Sequence, residues 1–130
     1  MLALTLHAIG QQEFDDSQMR RNAAARIARI YHINVDWMTT SLLEIMDIEA
    51  RLNAAARIKQ DHGLFFDWRK LNILELTDIE ARLNAVKRIE RNHGVRFDWK
   101  TSTLLQLTDV EARMNAANRL AKLIGKPVDW

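Results

Sequence analysis

The sequence predicts an all-α protein, a right-handed α-solenoid of stacked long-helix/short-helix units. Three observations carry that expectation. The stretch Asp78–Thr108, DIEARLNAVKRIERNHGVRFDWKTSTLLQLT, aligns with Asp47–Thr77, DIEARLNAAARIKQDHGLFFDWRKLNILELT, at a shift of 31 with no insertion or deletion. A worn copy covers Asp16–Met46 and a partial one Asp109–Trp130, and a fixed short period marks a repeat architecture. Within each copy the apolar residues fall at helical spacing, and glycines stand where helices stop.

The organisation is therefore one repeat domain over 1–130. A degenerate half unit occupies 1–15, full units occupy 16–46, 47–77 and 78–108, and a partial unit occupies 109–130. The half unit is expected to form a short helix that covers the start of the stack.

Each full unit is expected to begin with a long helix, over about 16–32, 47–62, 78–93 and 109–124. Ile48, Leu52, Ala55 and Ile58 form its apolar stripe. Three starts resemble a capping box: Asp15 with Gln18, Thr77 with Glu80, and Thr108 with Glu111. In the second copy Met46 replaces the threonine, so Asp47 is left to cap alone. Gly63, Gly94 and Gly125 supply left-handed stops. The first copy has His32 in that place, and its exit is expected to use Asn34.

After the stop, Asp36, Asp67, Asp98 and Asp129 each precede a tryptophan. Aspartate before an apolar residue suits a helix N-cap. Shorter helices are expected over 37–45, 68–76 and 99–107, with Leu42-Leu43, Ile73-Leu74 and Leu104-Leu105 as their apolar residues. Neither helix of a unit can bury its stripe alone, so neighbours must stack.

Bulk properties narrow the function. Apolar residues at 48% and charged residues at 28% describe a folded chain. There is no cysteine, which removes disulfides, thiolate nucleophiles and thiolate-bound metals. The net charge of +2 is spread evenly over the copies, so composition supplies no concentrated positive face for phosphate. The N-terminal MLALTLHAIG lacks a basic flank and is too short to span a bilayer. A cytoplasmic protein without membrane association is the expectation.

Internal repeats allow positions to be compared within one chain. Asp47 and Arg51 form an i,i+4 pair, repeated as Asp16/Arg20, Asp78/Arg82 and Asp109/Arg113. Such a pair alone contributes about 0.2–0.5 kcal/mol, so the arginine is expected also to bridge to the adjacent unit. Asn22, Asn53, Asn84 and Asn115 recur inside the long helices, where asparagine is a poor choice. Arg26, Arg57, Arg88 and Arg119 follow four residues later on the same face. Glu49, Glu80 and Glu111 extend that stripe backwards in three copies. Two readings compete for these Asn and Arg ladders. They form a partner-binding face for an extended polymer, or each Asn caps a neighbouring turn while each Arg pairs with a glutamate. The second is the stronger, because polar groups at an interface need such partners.

Trp37, Trp68, Trp99 and Trp130 form a third ladder. Exposed, they would be stacking platforms for single-stranded nucleic acid. Folded back over the junction with Phe66 and Phe97, they fill space, and this reading is favoured. His62 and His93 precede the terminal glycines, where a ring with positive character suits a helix C-terminus. One histidine per unit cannot hold a metal, and no nucleophile, acid/base pair or phosphate loop appears. No enzyme, cofactor or metal site is expected.

The unit's short helix, long helix and terminal His-Gly (His62-Gly63, His93-Gly94) resemble the repeat of TAL effectors. Repeats of that family are longer and read DNA bases with variable residues between the short and long helices. Here the matching loops, Leu76-Thr77-Asp78 and Leu107-Thr108-Asp109, do not vary. The resemblance therefore implies a helical repeat without that base code. Asp67-Trp68-Arg69-Lys70 and the helices after it also resemble a segment of an uncharacterised bacterial family, over one unit and with no activity attached.

The last long helix, with Val110, Met114, Ala117 and Leu120, is expected to lack the cover of a short partner, since Trp130 stands where the next short helix would start. These five residues are the candidates for self-association, as a dimer or by head-to-tail stacking. The leading expectation is a non-enzymatic binding or scaffold module for a protein partner. The second is a nucleic-acid binder using the Asn/Arg and Trp ladders.

Overall fold

A computed structural model describes residues 15–130, in which every regular element is an α-helix and no strand occurs among the described residues. The half unit expected over 1–15 lies outside them, apart from Asp15. Four helices follow one another: α1 (Ser17–Tyr31), α2 (Leu42–His62), α3 (Ile73–His93) and α4 (Leu104–Ile124). The chain divides into two compact units at Ala56 and Arg57, within α2.

The expected short helices are not present as separate elements. Their second halves form the first turns of single helices of 21 residues, and their first halves are turns. The cause is that each copy carries two helix-start signals, and the earlier one is used. Asn72 caps α3, its side chain accepting from the Glu75 amide at 2.8 Å while Glu75 accepts from the Asn72 amide. Thr103 and Gln106 do the same for α4, and the Ser41 hydroxyl accepts from the Glu44 amide at 3.2 Å before α2. Between these caps and the terminal glycines there is no Gly or Pro to interrupt the helix.

Thr77 and Thr108, expected to be N-caps, consequently sit inside helices. Their hydroxyls donate to carbonyls one turn back, Thr77 to Ile73 at 2.8 Å and Thr108 to Leu105 at 3.0 Å, the usual arrangement for a buried-in-sequence threonine. Asp47 likewise lies inside α2 and caps nothing. Asp15 accepts from the Ser17 amide at the start of α1, in place of the expected box with Gln18.

The aspartates before tryptophan organise single turns, not helices. The Asp67 carboxylate accepts from the Arg69 amide at 3.0 Å, and Asp36 and Asp98 repeat that bond to residues 38 and 100. The stops behave as expected at Gly63, Gly94 and Gly125, with φ of 70°, 71° and 70°. At the first copy His32 itself takes the left-handed conformation, φ 58°, and its amide donates to the Ala28 carbonyl. Asn34 is not needed, because an αL residue at that position is set by the helix end and glycine only makes it cheaper.

In the first unit, Ala23, Ala24, Ile27, Ile45, Leu52 and Ala54 form the buried apolar set. In the second, α3 and α4 pack through Ala85, Ile89, Leu107 and Met114, with Val86, Val95, Phe97 and Val110 around them. Alanine at 85 lets the two helices approach, and Leu107 and Met114 fill the space this leaves.

Candidate interaction surface

The Asn and Arg stripe is resolved most fully on α3. Glu80 and Asn84 face back toward the end of α2, and Arg88, one turn on, faces forward to α4. Arg57 donates to both Glu80 oxygens at 2.9 and 3.0 Å, and the His62 ring bonds Asn84 Oδ1 at 2.8 Å. Arg88 donates to both Glu111 oxygens at 3.0 Å, and His93 bonds Asn115 Oδ1 at 2.8 Å. The Asn118 amide lies 3.1 Å from the other His93 nitrogen, so that ring is held at both ends. In the first unit Arg26 grips Glu49 with two bonds of 2.9 Å, and the Tyr31 hydroxyl donates to Asn53.

The stripe thus pairs helix with helix. Its direction follows from helical geometry: steps of four residues advance 400°, so each step rotates about 40° around the axis. Residues at opposite ends of the stripe consequently face different neighbours. Asn22, on α1, accepts from the Gln18 amide at 2.8 Å, and Arg119, on α4, has no ion-pair partner among the described residues. Asn53, Asn84 and Asn115 accept from side chains at the end of the preceding helix, and Asn22 from Gln18 on its own helix, instead of capping turns.

Burial and hydrogen bonding act in opposite directions on these carboxylates. The guanidinium hydrogen bonds of Arg26 and Arg88 lower the pKa values of Glu49 and Glu111 below the ordinary 4.5, against a smaller upward push from desolvation. The paired arginines are themselves raised. A depressed carboxyl pKa contributes stability that is present above the unfolded value and lost as pH falls through the folded one. The wild-type chain is therefore expected to lose stability below about pH 4.5. Glu111→Gln should lose less between pH 7 and pH 3, by under about 1 kcal/mol because Arg88 is 43% exposed. Urea unfolding at both pH values checks this; an equal acid loss in both proteins would remove the pair from the account.

The second repeated pair also proves to be a bridge, but within its own copy. Arg82 binds Asp78 at 2.9 Å and donates to the Trp99 carbonyl at 2.6 Å, with its guanidinium 5.2 Å from the Trp99 ring centre. Arg20 with Asp16 and Trp37, and Arg113 with Asp109 and Trp130, repeat the arrangement. After the terminal glycine the chain turns back along its own helix, so the arginine meets its own tryptophan before any adjacent unit.

Trp37, Trp68 and Trp99 are half-buried, each with a cation over its ring, and Trp99 takes Phe66 edge-on at 6.0 Å. Those contacts compete with a stacked base for the rings.

Of the five self-association candidates, Met114 and Ala117 are buried, and Val110 packs on the α3–α4 core. These three are therefore covered, contrary to expectation, because they lie on the side of α4 that faces α3. Leu120 and Trp130 are exposed, each at 46%.

The second leucine of each pair expected to form the apolar stripe of a short helix is instead exposed. Leu43, Leu74 and Leu105 occupy the second position of α2, α3 and α4 and are 79%, 77% and 80% exposed. Their signal was phase: once each helix is continuous, Leu43 lines up with Asp47 at i+4, on the polar side. In the first unit an open groove of about 360 Å³ adds Met19, Leu42, Met46 and Ala50 between α1 and α2. Among the described residues no group of three metal-ligating side chains occurs, and no helix is long and apolar enough to cross a membrane. Compared with protein-family models, curated proteins and solved structures, the chain matches none of them.

Proposed function

We propose that the units stack as a right-handed α-solenoid, and that this solenoid is a non-enzymatic binding or scaffold module for a protein partner. The same helix-to-helix junction recurs, with Arg26–Glu49 in the first unit and Arg57–Glu80 and Arg88–Glu111 in the second. Repetition of one junction is what generates a solenoid. The observation that carries the partner is the recurring exposed leucine. Leu43, Leu74 and Leu105 are the same residue in three copies although they are exposed, whereas nearby exposed positions change from copy to copy, as in Met38, Arg69 and Lys100. An apolar residue kept in water by three copies supports contact with another protein.

A nucleic-acid partner is the second reading, and the same geometry weakens it. Arg26, Arg57 and Arg88 are committed to glutamates, and the half-buried tryptophans to arginine and phenylalanine. The test compares affinity capture by the wild-type chain with capture by the Leu43→Ser, Leu74→Ser, Leu105→Ser triple variant. A protein enriched on the first and lost on the second is expected. No such protein, together with a salt-dependent shift of single-stranded RNA or DNA abolished by Arg57→Ala plus Arg88→Ala, would transfer the reading to nucleic acid.

A further inference from the structure

Leu74 shows that the exposed leucines are not covered by the addition of another repeat. α3 has a neighbour on both sides, the end of α2 through Arg57–Glu80 and α4 through Arg88–Glu111. Leu74 is 77% exposed all the same. Helix-to-helix packing leaves this position open, so a group that covers it comes from outside the repeat.

The spacing of the leucines follows from the α3–α4 junction. Arg88–Glu111 and His93–Asn115 join residues 23 and 22 apart, whereas Leu74 and Leu105 are one period of 31 apart. Leu105 therefore lies about 12 Å further along the helix direction and about 8–10 Å to the side, which places it about 15 Å from Leu74. Residues eleven positions apart in an α-helix are separated by about 16 Å and point to the same side. A strand spans that distance too, but the described residues offer no sheet edge to pair its backbone. A helix satisfies its own.

The charges beside the leucines define the partner further. Each leucine is followed one turn later by an aspartate, Asp47, Asp78 or Asp109, and Leu43 and Leu74 are followed directly by exposed Glu44 and Glu75. Every one of these aspartates is more exposed than the arginine that holds it: 46% against 17% at Asp47, 48% against 17% at Asp78, and 66% against 50% at Asp109. A ligand seated on the leucines thus meets carboxylates first. In the turns just before α3 and α4, Arg69 lies over the Trp68 ring at 4.8 Å and Lys100 over the Trp99 ring at 5.9 Å, and Lys70 is exposed.

We infer that Leu74 and Leu105 seat a basic amphipathic helix of another protein, with apolar residues eleven positions apart and a lysine or arginine near each. A second copy of this chain does not fit, because it would bring the same carboxylates against these. Nucleic-acid phosphate is repelled for the same reason. This inference rests on the protein-partner reading and adds the chemistry of the segment that makes the contact.

The test titrates the full chain with a fluorescent, alanine-based peptide of about eighteen residues, stapled on its outer face so that the helix is preformed. The peptide carries two leucines eleven positions apart and a lysine one turn from each. Saturable binding is expected, weakened about tenfold or more by Leu74→Ser plus Leu105→Ser. Moving the second leucine by two positions, about 200° round the helix, should weaken it as much. A peptide with glutamate for lysine should bind the Glu75→Lys, Asp109→Lys variant better than wild type, a reversal that loss of an apolar contact does not produce. No saturation up to about 1 mM peptide, equal binding to the leucine variant, or indifference to the charge exchange overturns the inference. Self-association of the wild-type chain in sedimentation, abolished by the leucine variant, overturns it in favour of a second copy. The two proposals fail separately. A captured protein lost with the triple leucine variant and retained by Glu75→Lys, Asp109→Lys leaves the protein-partner reading standing and removes the basic helix.

Discussion

Asp78→Pro is expected to destabilise the chain by about 3 kcal/mol or more. The residue lies inside α3, which runs from Ile73 to His93, so proline would remove the bond from its amide to the Leu74 carbonyl and press its ring against that carbonyl. If a separate long helix began there, with Thr77 as its cap, position 78 would be the first helical residue, where proline is favoured. The control is Asp78→Ala. It loses the ion pair to Arg82 at 2.9 Å, whose aspartate is 48% exposed, and should cost only about 0.5 kcal/mol. Urea unfolding of the two variants, followed by circular dichroism at helix wavelengths, decides the matter. A proline variant as stable as the alanine variant would mean that the helix breaks at Thr77 after all.

Ile89→Ala should cost about 2–5 kcal/mol, whereas Leu120→Ala at the equivalent position one repeat later should cost well under about 1 kcal/mol. Ile89 is 0% exposed and packs with Ala85, Leu107 and Met114, so its truncation leaves a cavity between α3 and α4. Leu120 is 46% exposed and leaves none. Equal costs for the two substitutions would show that Leu120 is covered in solution.

Much of this protein was legible before the structure. The period of 31, the helical content and the left-handed stops at Gly63, Gly94 and Gly125 are local properties, and a local signal survives whatever the chain packs against. The pairing of Arg26, Arg57 and Arg88 with glutamates was also legible, because residues that recur together require a common cause. Where helices begin was less so. Thr77-x-x-Glu80 and Asn72-x-x-Glu75 are equally good starts by composition, and the choice between them depends on which lets the longer uninterrupted segment join the helix.

The sequence by itself determined a chain of repeated helices with no cysteine chemistry, evenly spread charge and a polar stripe that needs partners. Only the tertiary structure decided which neighbour each end of that stripe meets, that Met114 and Ala117 are covered while Leu120 is not, and that Leu43, Leu74 and Leu105 stand in water. The reason is physical. Periodicity specifies the angle of a side chain about its own helix axis, but burial depends on what lies across from that angle. For residues near the edge of an apolar stripe, a neighbouring helix alone settles the question.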